Sequence, residues 1–291
     1  MPDRSRPRVR ATAILAAGTG LILALSACSP SSVPAGPAPA SSTGSPMPDA
    51  HIHGLSVSSK TGQVLLATHD GLFDMTKKPA AKIGATNDLM GFTGGTNHGV
   101  LYASGHPGAD SDLPNPLGLI RSTDGGKTWE QLSRQRESDF HALTATKSGI
   151  IGFDGTLRTS PDGKTWSTVN ADFVPAALAG SPTGDTVLAT TPQGIRRSTD
   201  AGQTWNTVDT GPVIQFAAFA SPAEAVGVEP DGTVHYSEDA GATWTRKGQI
   251  QGAVQAVAAV KGEHPSIWAA TADGLVVSTD GGATFWPADA P

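Results

Sequence analysis

The chain has 291 residues and a formal net charge of -6, from 20 Lys and Arg against 26 Asp and Glu. Its cations are scattered along an acidic chain, which excludes the basic patch that nucleic acid requires, and its single cysteine, Cys28, excludes an intramolecular disulfide. With 35 Gly, 22 Pro and 5% aromatic residues, the composition suits many short strands joined by tight turns.

Residues 1–27 read as a targeting segment. Arg4, Arg6, Arg8 and Arg10 form a basic start, and Ala11 to Leu25 is apolar but short and interrupted by glycine. Leu25-Ser26-Ala27-Cys28 resembles the lipobox of bacterial lipoproteins. That resemblance implies a lipidated Cys28 as the new N-terminus, anchored to the cell membrane on its extracytoplasmic face without spanning it. Loss of residues 1–27 removes four Arg and one Asp and leaves a net charge near -9. Residues 28–49, rich in Pro, Ser, Ala and Gly, read as a flexible tether. The folded domain is expected over 50–291.

That domain is organised by one stretch that recurs. It stands as Ser122-Thr123-Asp124-Gly125-Gly126-Lys127-Thr128-Trp129, and again from Ser198 to Trp205, Ser237 to Trp244 and Ser278 to Phe285, with a tighter variant from Ser160 to Trp166. The closing aromatics are 37, 39, 39 and 41 residues apart. A fixed period in this range marks a repeat architecture. Ser and Asp accept from backbone N–H groups a few residues on, and glycine at the fifth place supplies φ > 0, so each copy reads as a hairpin turn. Asp124, Asp162, Asp200, Asp239 and Asp280 are therefore structural.

About 240 residues hold six periods of roughly 39. The fold expected is all-β: a six-bladed β-propeller, six blades rather than seven, each with four antiparallel strands a to d and strand a innermost. The blades fall near 50–86, 87–134, 135–171, 172–210, 211–249 and 250–291. In blade 1 the turn motif has decayed to Gly71-Leu72-Phe73-Asp74-Met75-Thr76. No extra strand at either end signals how the ring closes.

Antiparallel strands put the start of strand a and the b–c turn at the end of the blade opposite the c–d turn. His51 and His53 begin strand a of blade 1, Asp88 and Met90 that of blade 2, and Asp139 and His141 that of blade 3. Blades 4 to 6 place Val174 and Ala176, Ile214 and Phe216, and Val254 and Ala256 there. His69 and Asp70 occupy the b–c turn of blade 1, His106 that of blade 2 and Asp154 that of blade 3. Five of the eight histidines thus gather on one side of one face, while His98, His235 and His264 fall elsewhere. A long b–c loop, Gly105 to Pro116, stands beside them as a candidate lid.

Three functions suit this pattern. One is binding of a transition metal (zinc, copper or iron) or a small ligand by His51, His53, His69, His106, His141 and Asp88, with Met90 pointing to copper(I). Another is glycoside hydrolysis by a carboxylate pair from Asp70, Asp88, Asp139 and Asp154. The last is recognition of another protein without chemistry.

The repeated stretch matches the Asp box of the bacterial neuraminidase (BNR) repeat. With His51-Ile52-His53-Gly54-Leu55, His69-Asp70-Gly71-Leu72, Ser104-Gly105-His106-Pro107, Pro114-Asn115-Pro116 and Asp139-Phe140-His141, the chain resembles bacterial sialidase-like, glycosyl hydrolase-like BNR propellers. The resemblance implies a propeller of six or seven blades and glycosidase activity. Sialidases grip their substrate with an arginine triad, use a Tyr beside a Glu, and carry a Phe/Tyr-Arg-Ile-Pro motif, and no stretch here matches that motif. Tyr102 and Tyr236 fall within strands, and Arg121, Arg158, Arg196 and Arg197 fall on strand c. The Asp boxes alone also resemble those of the non-catalytic photosystem assembly-factor propellers.

Overall fold

The computed structural model describes residues 47–97, 99–181 and 183–288. The targeting segment, Cys28, most of the tether and His98 lie outside the described residues.

Among the described residues there are strands and turns and no helix. Blade 1 is β1 (Ile52–Val57), β2 (Val64–Thr68), β3 (Gly71–Asp74) and β4 (Ala81–Ile83). Blade 2 is β5 (Asn87–Gly94), β6 (Leu101–Pro107), β7 (Leu119–Ser122) and β8 (Glu130–Ser133). Blade 3 is β9 (Ala142–Thr146), β10 (Gly149–Phe153), β11 (Leu157–Ser160) and β12 (Ser167–Thr168). Blade 4 is β13 (Ala177–Gly180), β14 (Val187–Thr191), β15 (Gly194–Ser198) and β16 (Asn206–Thr207). Blade 5 is β17 (Phe216–Phe219), β18 (Ala225–Val228), β19 (Thr233–Ser237) and β20 (Thr245–Gln249). Blade 6 is β21 (Val254–Val260), β22 (Ser266–Thr271), β23 (Gly274–Ser278) and β24 (Trp286–Pro287). Each blade is one antiparallel sheet of four strands consecutive in sequence. The protein is a six-bladed β-propeller.

The inner strands form a closed circuit in which β1 packs on both β5 and β21. Among the described residues no strand is exchanged between the first and last blades, and side chains pack across their junction. Six apolar clusters fill the six junctions. One of them joins Ile52, Val64, Leu66 and Met75 of blade 1 to Ala256 and Ala270 of blade 6. Strands β2 and β14 are buried at every residue, which is why they read as unbroken apolar runs. The outermost strands β12, β16 and β24 are two residues long and exposed.

The Asp boxes cap the c–d turns. In blade 2, Asp124 Oδ1 accepts from Ser122 Oγ (2.8 Å) and the Thr128 N–H (3.0 Å), and Oδ2 accepts from Thr128 Oγ1 (2.7 Å). Ser122 Oγ accepts in turn from the Gly126 N–H at 2.8 Å. Blades 4, 5 and 6 repeat this around Asp200, Asp239 and Asp280. The Thr128 N–H and hydroxyl hold the Asp124 carboxyl down at about 2. Gly126 has φ 89°, and a Cβ there would lie 2.2 Å from Leu72 Cδ2 of blade 1, so the turn also seats each blade on its predecessor. In blade 1, Asp74 Oδ1 instead accepts from the Thr76 N–H at 3.0 Å.

Pairing also corrects the inner-strand equivalences expected for blades 5 and 6. Strand a enters blades 1, 2 and 6 through an extra residue: His53 lies between the pairs Ile52–Thr68 and Gly54–Ala67, and Gln255 between Val254–Thr271 and Ala256–Ala270. Gln215 bonds Val228 O beside the pair Phe216–Val228. Gln215 and Gln255, not Phe216 and Ala256, therefore stand where His53 stands, and Val213 and Ala253 stand where His51 stands. Those strands are apolar on both faces, so their sequence leaves the register open by one residue.

Candidate functional site

The six inner strands enclose a channel of about 1400 Å³. At its mouth opposite the Asp boxes, the start of strand a turns one side chain per blade into the lining: His53, Met90, His141, Ala176, Gln215 and Gln255, with a bulge there in blades 1, 2 and 6. β-bulges re-aim side chains in this way beside functional sites. The rim is two-sided. Blades 1 to 3 present His51, Asp88 and Asp139, whereas blades 4 and 5 present Val174 and Val213, 66% and 45% exposed.

At the junction of blades 1 and 2, one donor atom each of His51, His53 and His69 lies within 4.8 Å of the others. The rings of His53 and His69 meet edge-on at 4.4 Å, and those of His51 and His53 at 4.8 Å. Asp88 reaches across from blade 2, its Oδ2 2.8 Å from His69 Nδ1 and its Oδ1 3.6 Å from His53 Nε2. A Cβ on Gly105, at φ 140°, would fall 2.0 Å from the Asp88 carbonyl oxygen, so glycine there lets the bulged strand seat Asp88. Burial pushes the His53 imidazole down to about 4; the neighbouring His69 works the same way and Asp88 opposes them. His53 is therefore neutral at neutral pH, the form that ligates metal.

At the junction of blades 2 and 3, Asp139 Oδ2 lies 2.7 Å from His141 Nε2 and 3.2 Å from His106 Nε2. The other nitrogen of His106, Nδ1, is 2.7 Å from Asn115 Oδ1 in the long loop. That loop folds back on its strand, with the Leu117 N–H bonded to Gly105 O at 2.8 Å. Among the described residues, five buried side-chain polar atoms have no hydrogen-bond partner, and three are at this mouth: His53 Nε2, Asp88 Oδ1 and Asp139 Oδ1. Each such atom costs about 1–3 kcal/mol unless something satisfies it.

The structure therefore divides the expected cluster between two junctions and leaves some members out. Asp70 is exposed at the blade 1 turn and joins neither group. Asp154 is bound by Arg158 Nε at 3.1 Å and Arg134 Nη2 at 3.7 Å, a structural clamp. His235 is buried with Nε2 2.6 Å from Glu229 Oε1. A Tyr–Glu pair does exist, Tyr236 Oη donating to Glu224 Oε1 at 2.6 Å. It lies on strand c, however, and burial together with that bond raises the Tyr236 hydroxyl, the wrong direction for a nucleophile. Sequence reading did not single out Asn115, whose placement between Pro114 and Pro116 was its only signal, nor Gln215 and Gln255, polar residues isolated in apolar strands.

The family model of the BNR/Asp-box repeat matches residues 120–131. That stretch is the Asp box of blade 2, and the same turn recurs at Asp200, Asp239 and Asp280 of the propeller. No curated protein matches its sequence. A GH74 enzyme of Niastella koreensis is similar in structure, with a TM-score of 0.60 and 16% identity over 83% of this chain and 38% of that one. The extracellular domain of the hybrid two-component system BT4673 from B. thetaiotaomicron aligns at TM-score 0.53 and 10% identity over 82% of this chain and 33% of that one. The WD40 propeller of Doa1 aligns at 0.55 and 11% over 83% and 84%. This chain spans only about two fifths and one third of the first two, and at these identities the likeness is one of fold.

Proposed function

We propose that the protein is an extracytoplasmic lipoprotein whose propeller binds a transition-metal ion at the mouth opposite the Asp boxes. The observation that carries this is the convergence of His51, His53 and His69 within 4.8 Å, beside the partnerless buried atoms His53 Nε2 and Asp88 Oδ1. A zinc ion with nitrogens at about 2.0–2.1 Å holds its donors about 3.4 Å apart, so binding would draw the three rings closer together. Three imidazoles and a carboxylate suit zinc or copper(II), and His53 needs no deprotonation at neutral pH. Met90, lining the same mouth, adds a soft donor for copper(I). The anchor rests on the sequence from Arg4 to Cys28; among the described residues no helix is long and apolar enough to cross a membrane.

Elemental analysis tests the metal. Untagged protein purified without chelator carries at least one equivalent, and His53→Ala carries one fewer than wild type; a metal-free wild type that takes up none on dialysis against zinc or copper overturns the reading. Detergent-phase partitioning lost in Cys28→Ser tests the anchor.

A second reading, glycoside hydrolysis, draws on Asp88 and Asp139, which lie beside the channel-lining His53 and His141, and on the fold shared with a GH74 enzyme. It predicts aryl-glycoside turnover, abolished by Asp88→Asn or Asp139→Asn, in protein without metal. A protein devoid of both metal and turnover leaves recognition of a partner by the same face, which a pull-down with the tethered protein addresses.

A further inference from the structure

We infer that Asp139, His106 and His141 form a second metal centre, separate from the one at His51, His53 and His69 and open to exogenous ligands. The inference rests on the metal-binding reading and extends it from one ion to two. Asp139 Oδ2 faces two Nε2 atoms at 2.7 and 3.2 Å, while its Oδ1 is buried and has no hydrogen-bond partner. Asn115 takes the Nδ1 side of His106 at 2.7 Å and so directs Nε2 at the carboxylate. In the tautomer whose Nδ1–H donates to Asn115 Oδ1, His106 Nε2 presents a lone pair to a carboxylate oxygen, which a cation between them converts from repulsion to ligation.

The two junctions differ in chemistry. The first has three imidazoles and the Asp88 carboxylate, four donors arranged around His53, whose side chain is 8% exposed although that of His69 is 47% exposed. At the second junction the His141 and His106 side chains are 62% and 43% exposed, and His141 lines the channel. Two imidazoles and one carboxylate leave coordination positions of a divalent ion free for water or a small anion. His53 and His141 both line the channel, so both centres serve one mouth.

The test is titration of the untagged full chain with cobalt(II), followed by visible absorption and equilibrium dialysis, with azide added at saturation. Wild type is expected to bind two equivalents, and Asp139→Asn and His141→Ala one each, with circular dichroism unchanged. His53→Ala is expected to keep one equivalent whose spectrum shifts with azide. One equivalent in wild type, unaltered by Asp139→Asn and His141→Ala, overturns the second centre and leaves the first standing. Two equivalents retained in both of those variants overturn the assignment to these residues. No cobalt in any form removes both centres.

Discussion

His53 Nε2 and Asp88 Oδ1 face one another at 3.6 Å across the junction of blades 1 and 2, both buried and neither hydrogen-bonded. Purely structural packing would close or fill that gap. Asp88→Asn removes the buried anionic oxygen and offers an amide N–H to His53. We expect the metal-free variant to melt no lower than wild type, while zinc raises the melting temperature of wild type by more than that of the variant, the difference being the contribution of the His51, His53 and His69 centre. At a hundredfold excess over Kd that difference corresponds to ~2.7 kcal/mol, roughly 5–10 °C for a domain of this size. Scanning fluorimetry with and without zinc reads both. A loss above about 2 kcal/mol in the metal-free variant would make Asp88 structural instead.

Acid titration of the metal-free protein should show two phases. In the unfolded chain His53 takes a proton below its ordinary 6.5, whereas in the fold it stays neutral down to about 4. Between these values the unfolded state binds more protons, so stability falls as pH drops from 6.5 to about 4 and then levels off. Asp124, Asp162, Asp239 and Asp280 are held near 2 in the fold against an ordinary 3.8. Their contribution is full above 3.8 and is lost as pH falls toward 2. Urea midpoints measured against pH should lose the first phase, and keep the second, in His53→Asn.

Ser198 is fully buried; its Oγ donates to Asp200 Oδ1 at 2.7 Å and accepts from the Gly202 N–H at 2.9 Å. Ser198→Ala leaves that N–H without a partner and should cost about 1–3 kcal/mol. Metal uptake at the opposite end of the blades should be unchanged, which equilibrium dialysis checks beside the unfolding curve.

Neighbouring glycines in one Asp box should behave differently. Gly125 has φ 76° and open space around its Cβ position, and Ala201 and Ala240 hold the same place at φ 55° and 58°. Gly125→Ala should therefore cost less than about 1 kcal/mol. Gly126→Ala drives a methyl against Leu72 at a packed junction and should cost about 2–3 kcal/mol. Thermal unfolding of the two variants side by side separates local backbone strain from blade packing.

The Asp boxes were legible because their chemistry is local: Ser, Asp, Gly and Thr act within one octapeptide. Strands b and c were legible as apolar runs between turn residues. Strand a of blades 5 and 6 slipped by one residue because Ile214-Gln215-Phe216-Ala217-Ala218 is largely apolar on both sides and its register shows only in pairing with Val228. The gathering of His51, His53, His69, His106 and His141 on one side followed from antiparallel alternation. Their division between Asp88 and Asp139 did not, since it depends on how far adjacent blades stand apart. The loss of Asp154 to Arg134 and Arg158 was equally hidden, because Arg134 comes from the connection between blades 2 and 3.

Anomalous diffraction at the zinc edge, from crystals of the untagged protein grown with zinc, addresses the metal site directly. The account predicts a peak at the channel mouth about 2.0–2.1 Å from one ring nitrogen each of His51, His53 and His69. A mouth without anomalous density in crystals that hold zinc elsewhere, or hold none, would contradict it.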